Sequence, residues 1–432
     1  MYICQNFLGM LQLAMIRNNK EAVLAGLKKK NFPEPAIIDL VISMDDQRKA
    51  LQVQSDELLA QRNAVSKSIG ALMAQGSKDE AETQKAVVST LKEKIDLLAV
   101  ELAACEEKLH QALVKLPNIP TAIVPPGKTP EENENIREGG SIPVLHKEAV
   151  PHWDLITRYD LVDFQTGAKL TGSGFPLYKG LGAKLQRALT QYFLDFNTTA
   201  GYTEYLPPLM VNEASAYGTG QLPDKEGQMY HMTADNYYLI PTSEVPLTNI
   251  YRDEIVPQSS LPIKMTAFTP CFRREAGSFG KDVRGLNRVH QFDKVEIVNL
   301  TLAENSYKVL DEMVLHVEKM IQSLELPYRI LRLCGGDMSF ASALTYDFEV
   351  FSAGQQRWLE VSSVSNFESF QTNRMKIRTK DESGKTQLLH SLNGSALALP
   401  RILASILENN QTASGINIPL VLRPYFGADI IS

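Results

Sequence analysis

Two runs of heptads separated by a short polar break constrain this chain more than any other feature. From about Asp39 to Leu72, apolar residues recur at Met44, Leu51, Leu58, Val65 and Leu72, while the interleaved seam is weaker, with Arg48, Ser55 and Arg62 before Ile69. A second run carries both seams, Val88, Ile95, Leu102, Leu109 and Leu116 in one register and Leu91, Leu98, Cys105 and Ala112 in the other. Such spacing keeps one face of a helix against a partner helix. Gln75-Gly76-Ser77-Lys78-Asp79-Glu80 breaks the pattern between them. Two long helices joined by so short a turn must lie antiparallel, as an arm of about 40 Å or more at about 1.5 Å per residue. Heptads alone fit a dimerisation or scaffold hairpin as well as a binding arm.

Leu116-Pro117-Asn118-Ile119-Pro120 closes the second helix, because proline cannot continue it. The next stretch, through Val124-Pro125-Pro126-Gly127 and the acidic Glu131-Glu132-Asn133-Glu134, reads as a linker. The expected division is therefore a terminal extension at 1–9, a helical arm at 10–116, a linker at 117–151 and a second domain at 152–432. Met1 to Gly9 is apolar but lacks the basic start and cleavage site of a signal peptide, and Met10 is the expected translation start.

A chain of 432 residues, 44% apolar, can bury the cores of two or three domains, and no apolar run approaches the roughly 18 residues of a membrane span. Cys4, Cys105, Cys271 and Cys334 form no CxxC pair and have no histidine at ligand spacing. That argues against structural zinc or a disulfide framework and for a reducing, cytoplasmic setting. With a net charge of −6, any nucleic-acid contact must be local. Lys28, Lys29, Lys30, Arg62, Lys67 and Lys85 are candidate phosphate contacts, although most charges on such a hairpin simply solvate it.

In the second domain, Gly172-Ser173-Gly174-Phe175 reads as a turn into a short strand. Gly182 to Ala200 reads as an amphipathic helix with Leu185, Leu189, Tyr192, Phe193 and Phe196 on its apolar face, and Gly201 to Leu209 as a strand closed by prolines. Met265 to Phe272 and Val289 to Val298 read as neighbouring strands joined through Gly277, Gly280 and Gly285, a hairpin with a polar tip. Its strand ends bring Arg273, Glu275, Arg288 and Glu296 onto one piece of sheet. Fixed guanidinium groups beside carboxylates are what a site needs to hold a triphosphate next to an amino acid. Ile240 to Pro246 is a strand-to-helix turn that Thr242 can cap. Trp358 to Asn366 is a strand alternating toward small hydroxyl residues, and Leu392 to Arg401 leads into a helix with Ile402, Leu403, Ile406 and Leu407 inside. Arg401 near that helix start opposes the helix dipole, so a negative group should compensate it.

The run Phe272-Arg273-Arg274-Glu275, extended through Arg288-Val289-His290-Gln291-Phe292-Asp293-Lys294-Val295-Glu296, resembles the second signature motif of class II aminoacyl-tRNA synthetases in the longer form of the seryl-tRNA synthetases, and the resemblance continues along nearly all of the chain from Met10. The helix, strand and prolines of 182–209 resemble motif 1, the dimer interface of that class. Leu392 to Arg401 resembles motif 3, although the family more often has Gly where Ala396 and Pro400 stand. The fold so implied is α+β, an antiparallel two-helix coiled-coil arm followed by a class II catalytic domain with a mixed, mainly antiparallel sheet flanked by helices. The activity implied is formation of seryl-adenylate from L-serine and ATP, then transfer to the 3′ end of tRNA(Ser) lying against the arm. Use of tRNA(Sec) stays open. A homodimer and Mg2+ are implied as well, and no zinc.

The same resemblance implies the site. Arg273, Glu275 and Arg401 are its catalytic residues; ATP contacts add Arg274, Arg288, Val289, His290, Gln291, Phe292, Glu360, Val361, Ser362 and Ser363. Serine falls to Thr242, Ser243, Glu244, Arg273, Glu296 and Ser395, and Mg2+ to Glu360 and Ser363. Two other readings stand beside this one. An amino acid:carrier-protein ligase would share the catalytic half but lack the heptad arm, and a non-catalytic synthetase-like interaction protein would have lost charges that are all present here. No GxxxxGK[ST] loop or class I synthetase signature occurs.

Overall fold

The computed structural model describes residues 11–224, 226–275 and 284–432. The extension at 1–9, the start at Met10, Cys4 and the hairpin tip at Gly277 and Gly280 lie outside them. The described residues divide into two compact units, 11–28 with 32–117 and 29–31 with 118–432.

In the first unit, α1 (Ile37–Ala74) and α2 (Lys78–Leu113) pack along their length. Each is about 55 Å long at about 1.5 Å per residue. The heptads fold as expected: Leu98, Cys105, Leu109 and Ala112 are buried, and Leu51, Leu58, Val65 and Leu72 face inward half-buried. The weak seam of α1 is tolerated because its polar members are small or paired. Ser55 is buried, and the buried Asp45 meets Arg17 at 2.9 Å, Arg48 at 2.9 Å and Lys49 at 2.8 Å. Burial pushes the Asp45 carboxyl up, but hydrogen bonds from Lys49 and Arg48 outweigh it and hold the group below its ordinary range.

The second unit is built on an eight-stranded sheet. In chain order its strands are β1 (Glu134–Gly139), β2 (Thr203–Glu204), β3 (Ile263–Phe272), β4 (Gln291–Thr301), β5 (Tyr328–Arg332), β6 (Leu344–Ser352), β7 (Arg357–Glu368) and β8 (His390–Ala398). Across the sheet they run β1, β5, β6, β7, β8, β4, β3, β2, every neighbour antiparallel except β2, which is parallel to β3. The expected linker 117–151 thus supplies an edge strand. Its sequence shows no apolar alternation because the edge is held by backbone pairing and by ion pairs of Arg137 with Glu318 and Arg332 with Glu134.

Helices α3 (Gly180–Thr199), α4 (Glu244–Asn249), α5 (Ser306–Ser323), α6 (Phe370–Met375) and α7 (Leu399–Asn409) flank the sheet. The period-two alternation of β4 separates its two faces. Val295 and Ile297 enter the main core with Leu189, Phe193, Val317, Ile402 and Ile406, whereas Val298 and Leu300 join Leu247, Met265 and Met375 on the opposite side. The residues of β4 preceding Val298 on that side, Phe292, Lys294 and Glu296, are left to line a cleft.

Candidate active site

The cleft encloses about 580 Å3, walled by the ends of β3, β4, β7 and β8 and the start of α7. In β4 the residues of one face are Phe292, Lys294 and Glu296, so alternation alone delivers a ring, a cation and a carboxylate to one surface. Lys294 and Glu296 are both buried. Lys294 Nζ donates to Thr242 Oγ1 at 2.8 Å and lies 2.6 Å from Glu296 Oε2, an ion contact rather than an aligned hydrogen bond. Glu244, at the first position of α4, is buried beside them and receives a hydrogen bond from Gln371 Nε2. Burial, followed by repulsion from Glu296, pushes its carboxyl up to about 7.

Arg273 comes directly after β3. Its Nε donates to Pro241 O at 3.2 Å and its guanidinium lies 5.2 Å from the centre of the Phe292 ring. Arg288 Nη1 donates to Glu275 at 2.9 Å, so two of the expected site residues face each other. Arg401 Nη1 donates to Glu360 O at 2.7 Å and lies 3.6 Å from the Glu360 carboxylate, while its Nε donates to Asn287 O at 3.0 Å. Glu360 thus supplies the negative group that an arginine in the first turn of α7 requires. The backbone carries Pro400 there without loss, since a proline in the first helical turn has no N–H bond to forfeit.

Most of the expected residues meet in this cleft: Thr242, Glu244, Arg273, Glu275, Arg288, Val289, Phe292, Glu296, Glu360, Val361, Ser362, Ser363, Ser395 and Arg401. Four stand outside its walls. Ser243 is fully buried with its hydroxyl on Thr269 Oγ1 at 2.6 Å. Arg274 Nε donates to Met229 O at 3.1 Å and its guanidinium packs over the Tyr230 ring, so it braces the neighbouring segment. His290 is stacked on Phe175 and hydrogen-bonded through Nδ1 to Tyr230 at 2.7 Å. Gln291 is exposed at the strand start. Ser362 reaches the wall, but its hydroxyl donates to Ser395 O.

Sequence reasoning passed over Lys294 and Asn393, which also line the cleft, and Gln371, which holds Glu244. The alternation that places Glu296 in the cleft places Lys294 there too; no signal of that kind marks Gln371, whose partner is 127 residues away. Of the arm lysines, Lys30 Nζ donates to Ser339 O, Phe340 O and Ser342 O, and Lys29 Nζ to Thr121 O and Ala122 O. These two spend their donors on backbone within the second unit instead of presenting them to a phosphate.

A largely antiparallel sheet with arginines from a central hairpin and from a later strand–helix junction defines the catalytic core of a class II aminoacyl-tRNA synthetase. Residues 229–410 match the tRNA synthetase class II core domain (G, H, P, S and T), and residues 10–120 match the seryl-tRNA synthetase N-terminal domain. A serine–tRNA ligase of Salinibacter ruber is 46% identical over 420 residues, covering 97% of this chain and 98% of that protein. The seryl-tRNA synthetase of Pyrococcus horikoshii, solved with ATP, superposes with a TM-score of 0.90 at 31% identity, covering 98% of this chain and 99% of that one. The cytoplasmic serine–tRNA ligase of Naegleria fowleri, solved with AMP, gives 0.84 at 27% identity, with 96% of each chain covered. The chain belongs to the seryl-tRNA synthetase family.

Proposed function

We propose that this chain is a serine–tRNA ligase that forms seryl-adenylate from L-serine and ATP and then esterifies the 3′ end of tRNA(Ser). The observation that carries the reading is the cleft itself, with a buried Lys294–Glu296–Glu244 cluster on one side and Arg273, Arg288 and Arg401 on the other. The buried groups at one end, Lys294, Glu296 and Glu244 with Thr242, Asn393 and Ser395, are charged and polar donors and acceptors of a size to recognise a zwitterion bearing a hydroxyl. The other end presents guanidinium groups to phosphates.

An amino acid's carboxylate ionises far below neutral pH, so at pH 7 it is already a nucleophile and needs no general base. The work left to the chain is placement and charge neutralisation. Glu296, held by Lys294, and Glu244 receive the substrate ammonium and hydroxyl, with Thr242, itself held by Lys294, closing over them. Arg273, anchored by Pro241, meets the α-phosphate, where negative charge builds as the carboxylate attacks. Phe292 offers a ring to adenine, and Arg288 and Arg401 hold the terminal phosphates. Glu275, which pairs with Arg288 here, is released to the adenine edge when phosphates claim that arginine.

The wall fits a magnesium ion that arrives with the nucleotide. Among the described residues no group of three or more His, Cys, Asp or Glu could hold a metal by itself. The Glu360 carboxylate is half exposed on the cleft wall, and Ser363 lines the wall beside it, giving the oxygen-only donor set a hard cation takes with phosphate. Glu360 and Ser363 would hold it, and when bound it would neutralise phosphate charge.

The long paired helices suit a tRNA-binding arm, and use of tRNA(Sec) rests on the same element. A homodimer is supported by apolar surface beyond α3, where Leu206 is 88% and Met210 51% exposed. Three buried, unpaired cysteines, Cys105, Cys271 and Cys334, suit a reducing, cytoplasmic setting, and among the described residues no helix is long and apolar enough to cross a membrane. The deciding experiment is serine-dependent ATP–pyrophosphate exchange across a panel of amino acids, and then charging of purified tRNA(Ser). Exchange with serine above all others and formation of seryl-tRNA support the reading, whereas exchange without charging would return the carrier-protein ligase.

A further inference from the structure

Behind the phosphate end of the cleft lies a buried polar cluster that the chemistry above does not use. Glu408 stands in the last turn of α7, where a carboxylate faces the negative end of its own helix. It is nevertheless fully buried and accepts from Ser352 Oγ, from the backbone N–H of His152 at 2.9 Å, of Gly354 at 3.1 Å and of Gln355 at 3.2 Å, and from Gln355 Nε2 at 2.9 Å. The His152 ring, also fully buried, lies with Nδ1 2.7 Å from Glu408 Oε1. A carboxylate can only accept, so Nδ1 donates to it, and the N–H directed at Nε2 makes that nitrogen the bare one. That bare nitrogen accepts the Leu286 N–H at 2.9 Å.

The turn thus held is the one that carries the cleft's arginine contacts. Asn287 O accepts from Arg401 Nε at 3.0 Å, Asn287 Nδ2 donates to Gln355 Oε1 at 3.0 Å, and Arg288 is the next residue. The approach is close enough that a Cβ on Gly285, whose φ is +64°, would lie 2.3 Å from His152 Nε2. Residues 285–287 are therefore tied to α7 at both ends, to Arg401 at its start and through His152 and Gln355 to Glu408 at its finish. Helix α7 acts as the ruler that sets how far apart two phosphate-binding guanidinium groups stand.

We propose that His152 is a positioning residue for the ATP tail: its unprotonated Nε2 fixes Leu286, and through that turn the placement of Arg288 and Arg401. The inference rests on the ligase reading for the identity of the nucleotide, but not on the identity of the amino acid. The histidine touches no substrate and acts only through the turn.

Two substitutions separate the bond that matters from mere filling of the core. In His152→Asn, the amide nitrogen can take the place of Nδ1 and still donate to Glu408, but nothing reaches Leu286. In His152→Gln, the amide oxygen can take the place of Nε2 and accept from Leu286, while Glu408 keeps its other donors. Gly285→Ala perturbs the same contact from the turn, its Cβ crowding the His152 ring at a φ of +64°. The experiment measures the ATP dissociation constant by calorimetry, and the KM for ATP and for serine in pyrophosphate exchange, on the full chain and the three variants. The expected result is ATP binding weakened about tenfold or more in His152→Asn and Gly285→Ala, the equivalent of one lost hydrogen bond, with KM for serine within about twofold of wild type and His152→Gln close to wild type. Equal behaviour of the Asn and Gln variants, a parallel rise in KM for serine, or unchanged ATP binding in Gly285→Ala would overturn the proposal. Wild-type protein that binds ATP but shows no serine-dependent exchange would instead remove the ligase reading, and the calorimetric comparison would still decide the role of His152.

Discussion

Lys294 Nζ lies 2.6 Å from Glu296 Oε2 with both side chains buried, so the end of the cleft proposed for the amino acid is built around a buried ion pair. Removing one partner of such a pair leaves an uncompensated charge and costs about 3–5 kcal/mol, more than the pair contributes over an apolar replacement. Lys294→Met should therefore lower stability by about that amount in urea titration. It should also raise KM for serine, because Thr242 loses its donor and Glu296 its orientation. The double variant Lys294→Met, Glu296→Gln should recover much of the stability and none of the serine-dependent exchange. Recovery of both would show the pair to be structural only.

The acid beside that pair gives the protein a pH dependence of definite sign. Burial, with repulsion from Glu296, raises the Glu244 carboxyl from an ordinary 4.5 to about 7. Between those two values the folded chain binds more protons at this position than the unfolded chain, so stability falls as pH rises from about 4.5 to about 7. The group's share of the fall is at most about 3 kcal/mol. Glu244→Gln should flatten the profile and be the more stable protein at pH 7.5 while losing serine affinity. Urea titrations of both proteins at pH 5 and pH 7.5 test it, and an unchanged slope in the variant would defeat it.

How much of this was legible in the sequence depends on how local each cause is. The paired helices were readable because a coiled coil repeats its one instruction along α1 and α2. The β3–β4 hairpin was readable from two apolar runs that put Glu296 on its strand, whereas the roles of Phe292 and Glu296 came with the resemblance. Strand β1 was not, since an edge strand held by backbone bonds and by Arg332 and Arg137 needs no apolar pattern of its own. Arg274, His290 and Ser243 sit within the signature run or beside the Thr242 turn yet make their contacts away from the cleft. Only the contacts with Tyr230, Phe175 and Thr269 reveal it. Gln371 and His152 act through partners far away in the chain, a relationship no local pattern records.

On the proposed reaction, Arg273 is the residue on which the first chemical step depends most. Its Nε donates to Pro241 O at 3.2 Å, so truncation removes about one hydrogen bond from the fold. Loss of a charged donor aimed at developing charge costs about 10²–10³ in rate. Arg273→Ala should keep its unfolding midpoint nearly unchanged and lose pyrophosphate exchange by at least that factor. A variant with near-full exchange would end the assignment of the α-phosphate to this guanidinium.

On the proposed reading the arm and the catalytic core carry separable tasks, which shortening the tip of the arm should part. Gly70 and Gly76 have no neighbouring atoms within 4 Å of where a Cβ would stand, so the end of the hairpin is open at both positions. Excising 70–80 together with matching turns of α1 and α2 preserves the heptad register below and leaves the buried Asp45 cluster intact. Adenylate formation draws only on cleft residues of the second unit, so pyrophosphate exchange should stay within about twofold of wild type. Charging of tRNA(Ser) should fall by about 10²-fold or more, as expected when about 3 kcal/mol of binding contact is removed. Measured on one preparation, the two rates give an internal comparison. A loss of the same size in both steps would mean that shortening the arm damages the core, and an unchanged charging rate would take the tip out of tRNA recognition.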